Sequence, residues 1–147
     1  MFSYPSTAEI RTILRDSKTI AVVGISERED RASKYVSEYM QREGYTIYPV
    51  NPDISEWNGI KAYDSVLDLP VEVDIVDVFR HSSAVIPLAG DVVAAGAKVM
   101  WLQQGVFSEQ AAEIASGGGV SVVMDSCIMV EHKSMKLGFW IDCSIST

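Results

Sequence analysis

One glycine and three bases lie in an order that suits phosphate binding near the start of the chain. An apolar run rich in β-branched residues stops at Gly24, and a helical pattern opens at about residue 32. A strand that turns into a helix at a glycine brings backbone N–H groups and the positive end of the helix dipole to one point. The bases in this loop and helix start are Arg28, Arg31 and Lys34. We therefore expect this stretch to hold a phosphorylated, nucleotide-like ligand.

The alternative for the same stretch is a solvated loop of mixed charge. Glu27, Glu29 and Asp30 cancel the three bases in net charge, so the signal comes from position and not from composition. Open α/β sheets hold ligands at the carboxyl ends of their strands, where this loop is expected to lie. That placement favours the ligand over the solvated loop.

Two common nucleotide-binding motifs are absent. The dinucleotide fingerprint needs two more glycines after the first strand and an acidic residue about twenty positions later. Ser26 and Glu29 stand where those glycines belong, and the second strand ends in Asn51-Pro52, with Asp53 beyond the proline. The Walker pattern does not occur either. Ordinary NAD binding and a P-loop NTPase are both disfavoured.

Composition bounds the remaining classes. The 147 residues suit one domain with a sizeable core, and 48% of them are hydrophobic. A net charge of −8 argues against nucleic acid as a partner, since such proteins carry a basic footprint. The first residues lack the basic-then-apolar pattern expected of a signal peptide, and no apolar stretch approaches the roughly 20 residues needed to span a bilayer. Cys127 and Cys143 make neither a disulfide framework nor a zinc motif. We expect a cytoplasmic protein without a bound metal.

Strand-like and helical segments alternate along the chain. The predicted strands cover residues 19–24, 46–50, 73–79, 98–102 and 120–124. The predicted helices are 6–15 with a capping box, 32–42, a single turn in 64–70, one from Ser82 or Ser83 to Gly96, and one from Ser108 to residues 117–119. Short strands that are apolar on both faces suit a parallel sheet covered by helices on each side. The prediction is a Rossmann-like α/β fold, doubly wound in three layers (α/β/α), with five parallel strands in the order 3-2-1-4-5.

The end of the chain falls outside this alternation. We expect residues 1–136 to form the single domain and residues 137–147 to form an apolar tail. The segment 137–141, Leu-Gly-Phe-Trp-Ile, is apolar enough to pack on the domain or on a partner.

Five segments in the same order resemble a known family. They are residues 22–26, 48–52, 73–80, 97–106 and 122–133, each at or near the end of a predicted strand. Together they resemble the small stand-alone CoA-binding proteins, which are similar to the N-terminal CoA-binding domain of the succinyl-CoA synthetase α subunit. The resemblance covers roughly residues 6–136 and implies coenzyme A lying across the carboxyl ends of the strands.

The resemblance also implies a role for the glycine loop. Gly24, Ile25 and Ser26 would meet the diphosphate through backbone N–H groups and the serine hydroxyl. Arg31 and Lys34 would neutralise phosphate charge, including the 3′-phosphate that distinguishes CoA from NAD. Arginine suits this role because its planar fork donates two charge-assisted hydrogen bonds.

Further residues of the family's cleft follow the later strands. Asn51 and Pro52 would border the nucleotide, and Phe79 and Arg80 would form part of the pocket wall. The residues nearer the pantetheine arm would be Gln103, Gly105, Asp125 and Cys127. Each has a plainer alternative: a turn at Asn51-Pro52, core packing of Phe79, a loop hydrogen bond for Gln103, and a small buried thiol at Cys127. A mixed disulfide between Cys127 and CoA is the other hypothesis for that thiol.

No catalytic constellation is evident. His81 and His132 each fit a structural role, and the phosphohistidine of the synthetase belongs to a second domain that this sequence does not contain. Asp74 and Asp77 face opposite sides of one strand. We expect a protein that binds CoA or acyl-CoA and is not itself an enzyme. The alternatives are an NAD(P)-binding sensor or oxidoreductase, and a subunit that complements a separate acyl-CoA synthetase. Besides the ligand, the expected protein partner is a second copy in a homodimer or a synthetase-like subunit.

Overall fold

A five-stranded parallel sheet lies between two layers of helices. The computed structural model describes the backbone of residues 2–145 and the side chains of residues 2–137. The strands are β1 (Thr19–Val23), β2 (Thr46–Val50), β3 (Glu56–Trp57), β4 (Ile60–Lys61), β5 (Ile75–Val78), β6 (Val99–Leu102) and β7 (Ser121–Val123). The helices are α1 (Thr7–Asp16), α2 (Ala32–Arg42), α3 (Val85–Ala94), α4 (Glu109–Gly117) and α5 (Ile128–Ile145), with 3-10 turns at Val66–Asp68 and Ser82–Ala84.

The main sheet has the order β2-β1-β5-β6-β7, and every neighbouring pair is parallel. This confirms the predicted Rossmann-like α/β fold. The predicted order 3-2-1-4-5 is wrong, because the third strand of this sheet, β5, pairs with β1 and not with β2. Counting only the strands of this sheet, the order is 2-1-3-4-5.

The segment between β2 and β5 explains the difference. The predicted order needs a helix on the α2 face of the sheet to carry the third strand outward beyond β2. Residues 51–74 instead form a hairpin and a 3-10 turn, and Val66 of that turn packs with α3 and α4 on the opposite face. Because crossovers between parallel strands are right-handed, a connection on the opposite face leads back past β1.

Each face of the sheet has its own apolar cluster. Side chains alternate along the strands, so Ile20 and Val22 of β1 pack towards α1, α2 and α5, whereas Ala21 and Val23 pack towards α3 and α4. The predicted capping box of α1 is present, with the Ser6 hydroxyl accepting from the Glu9 backbone N–H and the Glu9 carboxylate accepting from the Ser6 N–H.

Two local features differ from the predicted elements. Helix α3 begins at Val85 and not at Ser82 or Ser83, because the chain enters it through a 3-10 turn whose N-cap is His81; the His81 Nδ1 accepts from the Ser83 N–H. Residues 56–61 form the β3–β4 hairpin, which was not among the predicted elements, and residues 58–59 are its tight turn. Asn58 and Gly59 both have positive φ there, as a type I′ turn requires.

Helix α5 follows β7, where the sequence pattern predicted no helix. Residues 128–145 form one helix, so the backbone of the predicted tail continues α5 from residue 137 to residue 145. The side chains of the apolar segment from residue 138 onwards, and with them Cys143, lie outside the described residues. Within residues 2–145, no helix has the length and apolar character needed to cross a bilayer.

Candidate ligand-binding cleft

Three loops meet at Gly24, at the carboxyl end of β1. The Gly24 N–H donates to the Val50 carbonyl of β2, and the Phe79 N–H that follows β5 donates to the Val23 carbonyl, both at 2.9 Å. Gly24 has φ +83°, and a Cβ atom there would lie 2.7 Å from the Phe79 carbonyl oxygen. Only glycine fits this turn. β1 is also where the winding of the sheet reverses, which is the place where open α/β folds bind ligands.

A cavity of about 310 Å³ opens between this turn and the start of α2. Its lining comprises Gly24, Ile25, Ser26, Arg28, Arg31, Ala32, Ser33, Asn51 and Phe79. Six residues of the predicted site are among them, namely Gly24, Ile25, Ser26, Arg31, Asn51 and Phe79. The structure therefore gathers the predicted glycine loop, the helix start and the ends of β2 and β5 around one space.

A second cavity of about 310 Å³ lies on the other side of the sheet edge. Its lining comprises Val23, Val50, Asp64, Ser65, Val66, Arg80, Ala84, Pro87, Leu88 and Asp91. Arg80, also predicted, is the basic residue of this lining. At three strand ends, one of two consecutive residues lines the first cavity and the other lines the second; these pairs are Val23-Gly24, Val50-Asn51 and Phe79-Arg80. The cavities thus adjoin across the ends of the same strands.

The start of α2 carries no side-chain cap. Arg31 is the N-cap residue and makes no capping hydrogen bond, whereas Ser6 caps α1 and Ser108 caps α4. The first turn of α2 also contains no acidic residue, and its residues Ala32 and Ser33 line the cavity. The positive end of the helix dipole is therefore left to a ligand or to solvent.

Serine side chains shape the loop itself. The Ser26 N–H donates to the Ser33 Oγ, and the Arg28 N–H donates to the Ser26 Oγ, both at 3.0 Å. The Ser26 hydroxyl hydrogen stays available to donate into the cavity. Arg28 lies in an ion pair with Asp30, 3.0 Å apart and exposed on both sides. Arg31 is exposed beside the cavity.

Lys34 does not line either cavity, in contrast to its predicted role. Its side chain is only 6% exposed, and its Nζ atom lies within 4 Å of the carboxylates of Glu27, Glu29 and Glu38. It also donates to the Asn58 Oδ1 at 2.6 Å. The positive charge of Lys34 is satisfied within the protein, so this arrangement does not favour Lys34 as a phosphate ligand.

Gln103 is buried with Asp77 below the edge of the sheet. The Gln103 Nε2 donates to the Asp77 Oδ1 at 2.5 Å, and both residues are less than 5% exposed. Burial raises the pKa of the Asp77 carboxyl to about 8, although the bond from Gln103 acts in the opposite direction. Gln103 lies outside the linings of the two cavities. Its bond to Asp77 agrees with the alternative given for Gln103 in the sequence, a hydrogen bond within the protein in place of a contact with the pantetheine arm.

The remaining predicted residues lie in other loops at the same edge. Pro52 is exposed in the turn after β2. The Gly105 N–H donates to the Asp125 carboxylate at 2.7 Å, which links the loops that follow β6 and β7. Cys127 is half-buried just before α5. None of these residues lines either of the two cavities.

Sequence reasoning missed Ser33 and Trp57. Ser33 looks like an ordinary helical residue, because its contact with Ser26 forms only when the loop folds back on the helix. Trp57 stands next to Asn58-Gly59, a pair that favours a hairpin turn, and its indole nitrogen donates to the Ser26 carbonyl at 2.9 Å. The Asn-Gly pair was the available signal for the hairpin.

Comparisons with known proteins identify the family. The model of the CoA binding domain matches residues 18–133. The chain belongs to this CoA-binding family. It is 46% identical over 132 residues to the uncharacterized protein YneT of Bacillus subtilis, covering 90% of this chain and 98% of YneT.

A solved structure and a larger enzyme are also similar to this chain. The structure of a hypothetical protein from Pyrococcus horikoshii OT3 is similar to this chain, with a TM-score of 0.86 and 35% identity over 89% of this chain and 92% of that chain. An ADP-forming acetate–CoA ligase of Archaeoglobus fulgidus is 26% identical over 122 residues. That match covers 76% of this chain but only 18% of the ligase.

Proposed function

We propose that this protein binds CoA or an acyl-CoA at the cleft around Gly24. The observation that carries the proposal is the uncapped start of α2, which opens on the cavity beside the glycine turn. Backbone N–H groups and a helix dipole aimed at one space favour an anion there. Because the chain belongs to the CoA-binding family, the anion proposed for this site is the diphosphate of CoA.

Arg31 is the side chain best placed to reinforce this site. It is exposed next to the cavity, whereas Lys34 is occupied by three carboxylates and Arg28 by Asp30. Arg80 faces the adjoining cavity on the other side of the sheet edge. A ligand longer than a diphosphate, such as CoA, would extend across the strand ends from one cavity into the other.

We also propose that the protein binds this ligand without catalysing a reaction on its own. Asp77 and His132 are two groups that could serve in acid–base chemistry, because burial raises the pKa of Asp77 and lowers the pKa of His132. Asp77 is buried against Gln103, and His132 is buried against Tyr39, so neither lines the two cavities.

A second function is supported by the ligase match. This chain corresponds to about a fifth of the ADP-forming acetate–CoA ligase. A CoA-binding chain of this kind would serve a reaction if separate proteins supplied the other parts of such an enzyme. Co-purification with a synthetase-like partner and acyl-CoA formation only by the pair would support this function.

Isothermal titration of the purified protein with CoA tests the proposal. We expect saturable binding of CoA and weak or absent binding of NAD, because Ser26 and Glu29 replace the glycines that a dinucleotide needs. Dephospho-CoA, run in parallel, reports whether the 3′-phosphate is recognised. Binding of NAD alone, or of neither ligand, would contradict the proposal.

A further inference from the structure

The β3–β4 hairpin holds the glycine loop through the side chain of Trp57. The Trp57 side chain is fully buried, and its Nε1 donates to the Ser26 carbonyl oxygen at 2.9 Å. The neighbouring carbonyl, that of Ile25, accepts from the Asn51 Nδ2 at 2.9 Å. Two successive carbonyl oxygens of the loop are therefore tied to side chains that follow β2.

The hairpin is itself fixed by a polar network around its turn. The Asn58 N–H donates to Glu27 at 2.8 Å, and its side-chain amide donates to Glu38 at 3.0 Å. The Lys34 ammonium donates to the Asn58 Oδ1 and lies 5.6 Å from the centre of the Trp57 ring. Lys34 thus joins the hairpin to α2, and its charge is satisfied by these contacts within the protein.

Carbonyl orientation matters because this loop is the wall of an anion site. A peptide group is planar, so its carbonyl and N–H point in opposite directions and turn together. While the indole holds the Ser26 carbonyl, the Ser26–Glu27 peptide cannot rotate. Without that donor, the peptide can turn its oxygen, the negative end of its dipole, towards a bound phosphate.

We propose that Trp57 is a positioning residue that presets the glycine loop for a diphosphate. Its indole N–H holds the Ser26 carbonyl away from the anion before the ligand arrives. This inference rests on the proposed function of the cleft and adds a residue on which ligand affinity depends, without requiring Trp57 to touch the ligand. Preorganisation of this kind raises affinity because the loop is already ordered, so that the free energy of ordering it is not subtracted from the free energy of binding.

The variant Trp57→Phe tests the inference because it removes the indole N–H and keeps an aromatic ring. Tyr45→Phe is the matched control: it removes a buried hydroxyl that donates to the Leu14 carbonyl at the opposite end of β2. CoA is titrated into both variants, with unfolding followed in parallel. We expect Trp57→Phe to weaken CoA about tenfold, the scale of one lost hydrogen bond, and Tyr45→Phe to leave the affinity unchanged.

Amide hydrogen exchange without ligand supplies a second readout. Trp57→Phe should speed exchange in residues 25–28 while the sheet amides stay protected, whereas a general loss of packing would speed exchange throughout. If Trp57→Phe does not fold, Asn58→Gly replaces it. Asn58→Gly keeps the turn but removes the links to Lys34 and Glu38, and it should also weaken CoA and speed exchange in the loop.

The outcomes separate this inference from the proposed function. Wild-type protein that does not bind CoA overturns both. Wild-type protein that binds CoA, together with a Trp57→Phe variant of equal affinity, overturns the role of Trp57 and leaves the CoA site standing. Equal losses in Trp57→Phe and Tyr45→Phe would assign the effect to stability and overturn the inference as well.

Discussion

At the scale of single residues, the environment of a side chain decides its role more than its type does. Arg31 and Lys34 are three positions apart and looked alike in the sequence. In the structure Arg31 borders the cavity, whereas Lys34 is enclosed by carboxylates from the loop and from α2. Their contributions to ligand binding should therefore differ.

Changing Arg31→Ala should weaken CoA by about 1–3 kcal/mol, the usual range for a hydrogen bond to a charged group. The affinity is measured by isothermal titration. Arg42→Ala, in the last turn of the same helix, is the control because it removes the same charge far from the cleft. An equal loss of affinity in both variants would show that net charge, and not a contact with Arg31, governs binding.

Asp77 should make the protein less stable as the pH rises. Its pKa is raised to about 8 by burial in the folded protein, while the unfolded chain releases this proton near the ordinary value. The stabilising effect of the neutral carboxyl is complete below about pH 4 and is lost as the pH rises to about 8. Relative to Asp77→Asn, the wild-type urea midpoint should fall between pH 5 and pH 8.5. Parallel pH profiles for the two proteins would contradict this assignment.

At the scale of elements, helices α1 to α4 and the five strands of the main sheet were predictable because their signals are local, whereas α5 and the β3–β4 hairpin were not predicted. The Ser6 capping box, the Ser108 cap and the apolar runs of the five main strands all lie within a few residues of the structure they specify. The strand order was not predictable in the same way. It depends on which face of the sheet the segment 51–74 covers, and that is decided by packing of Val66 against α3 and α4.

Helix α5 is held on α2 by a buried histidine. The Tyr39 hydroxyl and the His132 Nδ1 are 2.8 Å apart, and Glu43 and Lys136 lie close to this pair. Burial lowers the pKa of His132, which Glu43 partly offsets and Lys136 reinforces. The histidine therefore resists protonation while α5 stays docked.

Acid should loosen this contact. Because the pKa of His132 is lower in the folded protein, the unfolded chain takes up the proton first, and stability is lost as the pH falls below about 6.5. Urea unfolding at pH 7.5 and pH 5 should show a larger loss for the wild type than for His132→Gln, in which position 132 does not titrate. The same loss in both proteins would place the acid sensitivity elsewhere.

At the scale of the whole molecule, the cleft lies where the winding of the sheet reverses. The chain carries a net charge of −8, so overall charge does not attract an anionic ligand, and the attraction must come from the local groups at Gly24, Arg31 and the start of α2. The general position of this cleft could be predicted from the glycine loop and the family resemblance. The internal contacts of Lys34 with Asn58 and of Gln103 with Asp77 could not, because each joins residues that are more than twenty positions apart in the sequence.

Titration of ¹⁵N-labelled protein with CoA, followed by amide chemical shifts, tests the central claim most directly. The account predicts that the largest shifts fall in the loop of residues 24–28 and at Ala32 and Ser33, because all of these residues except Glu27 line the cavity. Smaller shifts are expected around Arg80 in the adjoining cavity. Saturable shifts confined to other parts of the molecule, with residues 24–33 unmoved, would contradict the assignment of this cleft.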